Sequence, residues 1–375
     1  MVRPKVCFVL PSLHGGGAER AAVQILNALN PAAWDRSMYL FQREGAYLDA
    51  VDPSIELASD RDGSRAGRWL GFRRFVRRVR PRLVVVFLSY FSALTAVRAA
   101  GVGARVVFNL QTPMSDFLRD ADYAWRLSWR RGAFSLATRV GYRLADVVVA
   151  TSRGVADDLV SSFGTPRDRI RVLHNPVDLS LIAASAAEPL DPVPGWSGAP
   201  NRVVAAGRLA DAKNYPLLLD AFALVRRRMP ASLLILGEGE RAASLRTHAS
   251  RLGIADDVVF GGFQRNPWKF IARADVFALS SRYEGFGNVL IESMACGVPV
   301  VATESPGTHD IVSDGANGIL VGAHEPTAFA GALTRVLDDA AARARMSAAA
   351  RQTADAFALP AIAAAYERTL AEVIA

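Results

Sequence analysis

Short runs of β-branched and aromatic residues recur along the chain, each followed by a longer stretch at helical spacing. This alternation restricts the fold more than any other feature. Val6 to Leu10 is the first run, and Leu83 to Leu88, Arg105 to Leu110, Val147 to Thr151 and Ile170 to Leu173 follow it. The pattern restarts after residue 200 with Val203 to Ala206, Ser232 to Leu236, Val258 to Gly261, Val276 to Leu279 and Val300 to Ala302. These runs lack polar alternation, so both faces of each strand are covered, which predicts parallel sheets flanked by helices. Between the two series lies Glu188-Pro-Leu-Asp-Pro-Val-Pro-Gly-Trp-Ser-Gly-Ala-Pro200, whose four prolines hold neither helix nor central strand. The expected class is α/β, with two Rossmann-like, doubly wound parallel-sheet domains facing a cleft. Their expected bounds are residues 1–185 and 201–355, with a linker over 186–200. Residues 356–375 are expected to form a helix packing back towards the first domain.

Composition excludes several classes. The 375 residues are 51% hydrophobic and 21% charged, which is incompatible with disorder. The longest uncharged run, Leu83 to Val97, falls short of the ~20 residues a spanning helix needs. Val6 to Leu10 is too short for a signal-peptide core. Cys7 and Cys296 each lie inside an apolar run, so no disulfide framework is expected and the compartment reads as reducing. The net charge is +8, yet Lys5, Lys213 and Lys269 are the only lysines. The excess favours an acidic partner, whether nucleic acid, membrane surface or phosphorylated substrate.

Chemistry concentrates in the loops that follow strands, where doubly wound sheets bind their ligands. Ser280-Ser-Arg-Tyr-Glu284-Gly-Phe-Gly-Asn-Val-Leu-Ile-Glu292 leaves the strand Val276 to Leu279, turns through Gly285 and Gly287 and enters a helix. Such a turn offers unpaired N–H groups and a positive dipole end to an anion. Glu284 and Glu292, about two helical turns apart, would face one cleft and accept hydrogen bonds from sugar hydroxyls. They equally suit a helix with one glutamate on its dipole and one in solvent. Gly207-Arg208-Leu-Ala-Asp-Ala-Lys213-Asn214 follows the strand Val203 to Ala206. A forked guanidinium and a point-charge ammonium in one loop can grip a diphosphate; the alternative is a basic surface loop. Leu13-His14-Gly15-Gly16-Gly17-Ala18-Glu19-Arg20 is a third strand-to-helix turn, and its glycines allow close backbone approach. It departs from GxGxxG, which disfavours a dinucleotide fingerprint.

Taken in order, Gly-Gly-Gly-Ala-Glu-Arg20, Gly-Arg208-x4-Lys213-Asn and Glu284-Gly-Phe-Gly-Asn-Val-x2-Glu292 resemble a GT4-type glycosyltransferase of the GT-B fold. His174-Asn175-Pro176-Val177-Asp178 is similar to that family's domain-closing turn, and Asp314-Gly-Ala-Asn317-Gly318 to a later loop. The resemblance implies transfer of a sugar, with retention, from a nucleotide diphosphate sugar to a hydroxyl of a glycan or polyprenyl-linked glycan acceptor. UDP is the first expectation for the nucleotide and GDP the second. On the matching positions, Arg208 and Lys213 neutralise the diphosphate, Glu292 holds the ribose and Glu284 positions the donor sugar. Gly285, Phe286, Gly287 and Asn288 supply backbone to phosphate or hydroxyls. Phe263, Gln264 and Arg265 lie beside the base, and Gly16 and Gly17 form a lip over the diphosphate. No cofactor and no metal are implied. Where the family often carries a histidine, this chain has Gln111, which cannot titrate near neutral pH. Asn109 and Asp116 are nearby substitutes for contacting acceptor or sugar, and His14 is a further candidate. His174 and His309 read as structural.

Two basic stretches remain. Arg61 to Arg82 intersperses nine arginines with Trp69, Leu70, Phe72, Phe75 and Val76, and Tyr123 to Phe134 carries Trp125, Trp129, Arg130 and Arg131. Either suits an anionic bilayer or the ordinary helix between two strands. The expected location is cytoplasmic, with peripheral contact at the inner face of the membrane. Rival readings are another GT-B nucleotide-sugar enzyme such as a 2-epimerase, or a non-catalytic phosphate or nucleic-acid binder. Nucleic acid is disfavoured, because no recognition motif is present and Glu284 and Glu292 would repel its backbone.

Overall fold

Strand runs too apolar to face water leave each sheet one option, which is to lie between helices. The computed structural model describes residues 3–59, 65–87, 90–119, 131–322 and 324–375. Packing divides the described chain into two units that meet in sequence at Pro176–Val177 and Ala358–Leu359.

The first unit runs β1 (Lys5–Leu10), α1 (Gly17–Ala28), β2 (Asp35–Leu40), β3 (Glu56–Ser59), α2 (Arg65–Val79), β4 (Leu83–Phe87) and α3 (Tyr90–Ala100). It continues with β5 (Arg105–Leu110), α4 (Met114–Arg119), α5 (Arg131–Leu144), β6 (Val147–Ala150), α6 (Arg153–Phe163) and β7 (Ile170–Val172). Among the described residues its strands form one seven-stranded sheet, ordered β3-β2-β1-β4-β5-β6-β7 and parallel at every pairing. The order reverses between β1 and β4.

The second unit opens with α7 (Leu179–Ala186), then β8 (Arg202–Ala206), α8 (Tyr215–Arg228), β9 (Ser232–Leu236), α9 (Ala242–Arg251), β10 (Val258–Gly262) and α10 (Trp268–Ile271). β11 (Val276–Leu279), α11 (Asn288–Ala295), β12 (Val300–Thr303), β13 (Gly318–Val321), α12 (Pro326–Asp338) and α13 (Ala340–Asp355) complete it. Its six-stranded sheet, ordered β10-β9-β8-β11-β12-β13, is also all parallel, with the reversal between β8 and β11. The last helix, α14 (Leu359–Ile374), belongs to the first unit, where Ile362, Tyr366 and Leu370 join the core beside α1.

Three strands escape a reading based on apolar runs. β2 opens Asp-Arg-Ser, but Ser37 donates to the Val6 carbonyl at 3.0 Å, and Arg36 is buried with its guanidinium on the last carbonyls of α1, 2.7 Å from Asn27 O. A cation at a helix C-terminus satisfies orphan carbonyls and complements the dipole. β3 and β13 are short outer strands, and so make a weak sequence signal. The proline-rich segment is more than a tether. Trp196 is buried in the second unit's core, donates its indole N–H to Val203 O at 3.3 Å and lies under the Arg202 guanidinium.

The arginine-rich α2 turns its apolar face inward. Phe72, Phe75 and Val76 are buried, with Trp69 packed against them, and Tyr39 and Phe41 complete an aromatic cluster. Burial is worth roughly 1.5–3 kcal/mol for each large apolar side chain, so this face is committed to the core. Arg73 and Arg77 donate to the Ala99 and Ala100 carbonyls at the end of α3. Of the apolar residues singled out in the Arg61 to Arg82 stretch, Leu70 alone is exposed. Of the two readings of this stretch, the apolar face of the helix supports the ordinary one, a helix packed on the core. Arg61 and the segment Tyr123 to Arg130 lie outside the described residues. Among those described, no helix is long and apolar enough to cross a membrane.

Candidate functional site

In the second unit, the reversal of strand order places two loops side by side at the carboxyl ends of β8 and β11, where parallel sheets open a crevice. Those loops carry the two sequence constellations. Ser280 Oγ donates to Lys213 O at 2.9 Å and Arg282 N to Ala212 O at 2.8 Å, which joins them through backbone. On that frame Lys213 Nζ donates to Glu284 Oε1 at 2.5 Å. Glu284 also accepts from Ser281 Oγ at 2.6 Å. Both ions are largely shielded, with side chains 26% and 12% exposed. Buried beside them, Tyr215 donates to Gly207 O at 3.1 Å, and its phenol is pushed well above its ordinary range by burial and by the charge of Glu284. Arg208 differs: it is exposed and makes no side-chain hydrogen bond or ion pair with any described residue.

The backbone beneath these side chains approaches itself so closely that only glycine fits. Gly237 has φ +134, and a Cβ there would lie 2.1 Å from Gly207 O. Gly307 donates to Glu284 O at 3.0 Å, and a Cβ on it would lie 2.4–2.5 Å from the Gly285–Phe286 peptide. The Glu284 loop is thus braced from behind by the loop after β12. Phe286 is buried edge-on against Phe357, so this turn offers a ligand backbone rather than a side chain. Gly287 precedes Asn288 at the start of α11, which has no side-chain cap. On the same helix Glu292 is buried, and its Oε2 accepts from the Trp268 indole N–H at 2.9 Å. At the end of β10 Phe263 is half exposed and Arg265 exposed, while Gln264 is spent on Gly261 O at 2.7 Å.

The first unit holds the remaining candidates. His14 is exposed and 3.0 Å from Glu44 Oε1. The Gly15–Gly17 loop leads into α1, whose N-cap Gly16 has no side-chain cap bond, and Tyr47 OH reaches Gly15 O at 3.4 Å. Asn109 is fully buried. Its amide links two others: it donates to Tyr366 OH at 2.8 Å and accepts from Gln111 Nε2 at 2.5 Å. Gln111 also donates to Asn175 Oδ1 at 3.2 Å and accepts from Asn175 Nδ2 at 2.7 Å. Both Gln111 N–H groups are consumed, leaving it an acceptor only. Asp116 pairs with Arg119 at 3.6 Å; its carboxyl is raised by burial and by Asp158, against the lowering effect of Arg119. His174 is fixed on Thr151 O at 2.9 Å, and His309 is exposed.

Several contributors were not singled out by sequence. The Gly237-Glu-Gly239 turn after β9 carries the same strand-then-glycine signal as the loops at Gly15, Gly207 and Gly285. Trp268, Tyr215 and Tyr366 carry no local pattern in the sequence. Among the described residues, no three of His, Cys, Asp and Glu converge as metal ligands would.

An exposed arginine, a lysine held by an exchangeable carboxylate and an uncapped helix turn together suit a diphosphate with an attached polyhydroxylated group. Residues 188–353 match the family described as glycosyl transferases group 1, and residues 15–181 match glycosyltransferase family 4. The lipopolysaccharide core biosynthesis glycosyltransferase LpsE of Rhizobium meliloti is 34% identical over 250 residues, covering 64% of this chain and 71% of that protein. An N-acetylgalactosamine-N,N'-diacetylbacillosaminyl-diphospho-undecaprenol 4-alpha-N-acetylgalactosaminyltransferase of Campylobacter jejuni is 34% identical over 200 residues, 53% of each chain. The match thus spans about half the length of the Campylobacter relative. Among solved structures, Anabaena Alr3699/HepE in complex with UDP and glucose superposes with a TM-score of 0.79 at 21% identity, covering 98% of this chain and all of that one. Sucrose-phosphate synthase of Thermosynechococcus elongatus gives 0.81 at 19% identity over 99% of both.

Proposed function

The chain belongs to the group 1, family 4 glycosyltransferases and has their GT-B fold, and from this premise we propose that it transfers a sugar from a nucleotide diphosphate sugar to a hydroxyl of a lipid-linked glycan, with retention of configuration. The observation that carries the reading is the pairing of Lys213 with Glu284 beside the exposed Arg208, at the strand-order reversal of the second sheet. Arg208 and Lys213 would take the diphosphate. Displaced from its lysine, Glu284 would accept hydrogen bonds from the donor sugar, and Glu292 would meet the ribose.

In the reaction, the bond from the anomeric carbon to the diphosphate breaks as the acceptor oxygen bonds on the same face. The acceptor's proton passes to the departing phosphate oxygen, so no protein nucleophile is required. Negative charge grows on the leaving group. Cations and helix-end amides fixed beforehand stabilise that change more than they stabilise the bound substrate. UDP is the favoured nucleotide and GDP the second. The names of the Rhizobium and Campylobacter relatives support an acceptor in lipopolysaccharide or polyprenyl-linked glycan synthesis.

Thermal stabilisation by UDP, GDP, ADP and TDP sugars, on wild type and on Arg208→Ala, tests the donor site. A ligand at 100 times its dissociation constant should raise stability by about 2.7 kcal/mol. One nucleotide class should respond, and Arg208→Ala should abolish the response; silence towards all four would refute the donor site. Product analysis separates transfer with retention from epimerisation. Peripheral contact with an anionic bilayer is part of the proposal. It is supported by Leu136, Val140 and Leu144, exposed at four-residue steps on α5, with Arg139 and Arg143 alongside. Flotation with anionic vesicles tests it, and an unbound protein would sink that part alone.

A further inference from the structure

The loops that carry Lys213 and Glu284 are joined without help from the ion pair, since Ser280 Oγ donates to Lys213 O and Arg282 N to Ala212 O. The pair can therefore open while the loops stay together. The stem of Lys213 runs over Gly207, where a Cβ would lie 3.4 Å from its Cε. With its stem so placed, the ammonium meets either Glu284 or an anion in the same crevice.

Glu284 is the more constrained partner. Its side chain is 12% exposed, and both of its described side-chain donors, Lys213 Nζ at 2.5 Å and Ser281 Oγ at 2.6 Å, meet the same oxygen, Oε1. Tyr215 offers no substitute, because its single O–H donates to Gly207 O at 3.1 Å. When a diphosphate draws the ammonium away, a neutral hydroxyl is all that remains on the carboxylate among those donors. A shielded charge without its counter-ion is strongly destabilising.

Two anions thus compete for one ammonium. An intact donor brings sugar hydroxyls, which can donate to Glu284 as the lysine leaves it. A nucleoside diphosphate without its sugar brings the competing charge and no replacement. Resting on the donor-site reading above, we propose that Glu284 also selects between donor and product: by contesting Lys213 it weakens the sugar-free nucleoside diphosphate selectively, so that loss of the sugar to the acceptor is itself what releases the nucleotide. Such selectivity is a difference of affinities built with a repulsive element. Lys213 transmits it, because an ammonium turned towards one anion turns away from the other.

Calorimetric binding of UDP, GDP, UDP-glucose, UDP-N-acetylglucosamine and GDP-mannose to wild type, Glu284→Gln, Lys213→Ala and the double variant reads the competition. Glu284→Gln should bind the sugar-free diphosphate of the responding base about tenfold more tightly than wild type, the scale of one hydrogen bond to a charged group. The matching nucleotide sugar should gain nothing, because the variant also loses the sugar contact. In the Lys213→Ala background, Glu284→Gln should change nucleotide affinity by less than about twofold. If Glu284→Gln fails to fold, Glu284→Asp, whose carboxylate is withdrawn from the lysine by one methylene, should give a smaller gain in the same direction. Unchanged or weaker binding of sugar-free nucleotide by Glu284→Gln would overturn the proposal and leave the donor site standing. An equal gain in the Lys213→Ala background would overturn it too, since the effect would then be direct repulsion with no exchange of the lysine. If wild type bound none of these ligands, the donor-site reading itself would fall and this inference with it.

Discussion

Two polar clusters sit at strand ends in this molecule, one in each unit, and they are built on opposite principles. The cluster after β8 and β11 is ionic: Lys213 pairs with Glu284, and Arg208 reaches solvent beside them. The cluster after β5 and β7 is neutral, a chain of amides from Asn175 through Gln111 and Asn109 to Tyr366. An ion pair can exchange one partner for a ligand of like charge, because Coulomb attraction tolerates a range of geometries. A chain of amides exchanges partners less readily, because each bond depends on the direction in which one donor meets one acceptor. The first arrangement suits capture of a charged, departing group. The second suits a fixed surface that offers one remaining lone pair, on Gln111 Oε1.

Breaking the ionic side should have the largest effect. Arg208→Ala removes a group that pairs with no described residue, so stability should hold while kcat/KM falls about 10²–10³-fold, the scale seen when one preorganised charge-stabilising donor is lost. Steady-state kinetics beside a melting curve reads both. An equal loss of stability would show that Arg208 supports the fold.

Lys213 tests the exchangeable pair itself. Lys213→Ala strands a Glu284 carboxylate that is 12% exposed, and should cost about 1–3 kcal/mol of stability as well as donor affinity. Glu284→Gln in the same chain should recover most of that stability without recovering donor binding. Additive losses in the double variant would mean that the two side chains are not coupled.

On the neutral side the expected effects are smaller. Tyr366→Phe deletes the acceptor for Asn109 Nδ2 and should cost about 1 kcal/mol. Nucleotide affinity should be unchanged, since α14 and the nucleotide site belong to different units. A drop in nucleotide affinity matching that of Lys213→Ala would erase the distinction between the clusters.

The two clusters also differ in how far sequence could reach them. Arg208, Lys213 and Glu284 lie in loops that directly follow apolar runs, so strand position and residue type together exposed them. The amide chain has no such signal, because Tyr366 meets Asn109 across 257 residues and a single amide in a strand is unremarkable. The burial of Asn109 is hidden from the sequence for the same reason. Asn109 is a polar residue near a strand end, yet the return of α14 buries it. Trp268 was hidden by its composition, since a tryptophan in an apolar segment reads as core until its N–H is found on a carboxylate. β2 was missed because burial of Arg36 depends on the carbonyls at the end of α1, a tertiary fact.

The smallest effect concerns Asp116, a first-unit carboxylate whose proton affinity is raised. Burial and the neighbouring Asp158 outweigh Arg119, so the folded carboxyl holds its proton above the ordinary value of 3.8. As pH rises from that value through the raised one, the unfolded chain has lost this proton while the folded chain still carries part of it. Folding therefore binds more protons than unfolding in that window, and stability contributed by this site falls as pH increases. At neutral pH the residual cost is small, because the side chain is partly solvated and retains the 3.6 Å contact with Arg119. Asp116→Asn removes the titration along with that ion pair. Its stability curve should lack the decline between the ordinary carboxylate range and neutrality, and at pH 7 it should match or exceed wild type by no more than about 0.5 kcal/mol. Urea unfolding at pH 4, 5.5 and 7 measures the slope. A wild type that gains stability relative to Asp116→Asn as pH rises would reverse the sign, and would mean that Arg119, rather than Asp158, governs the site.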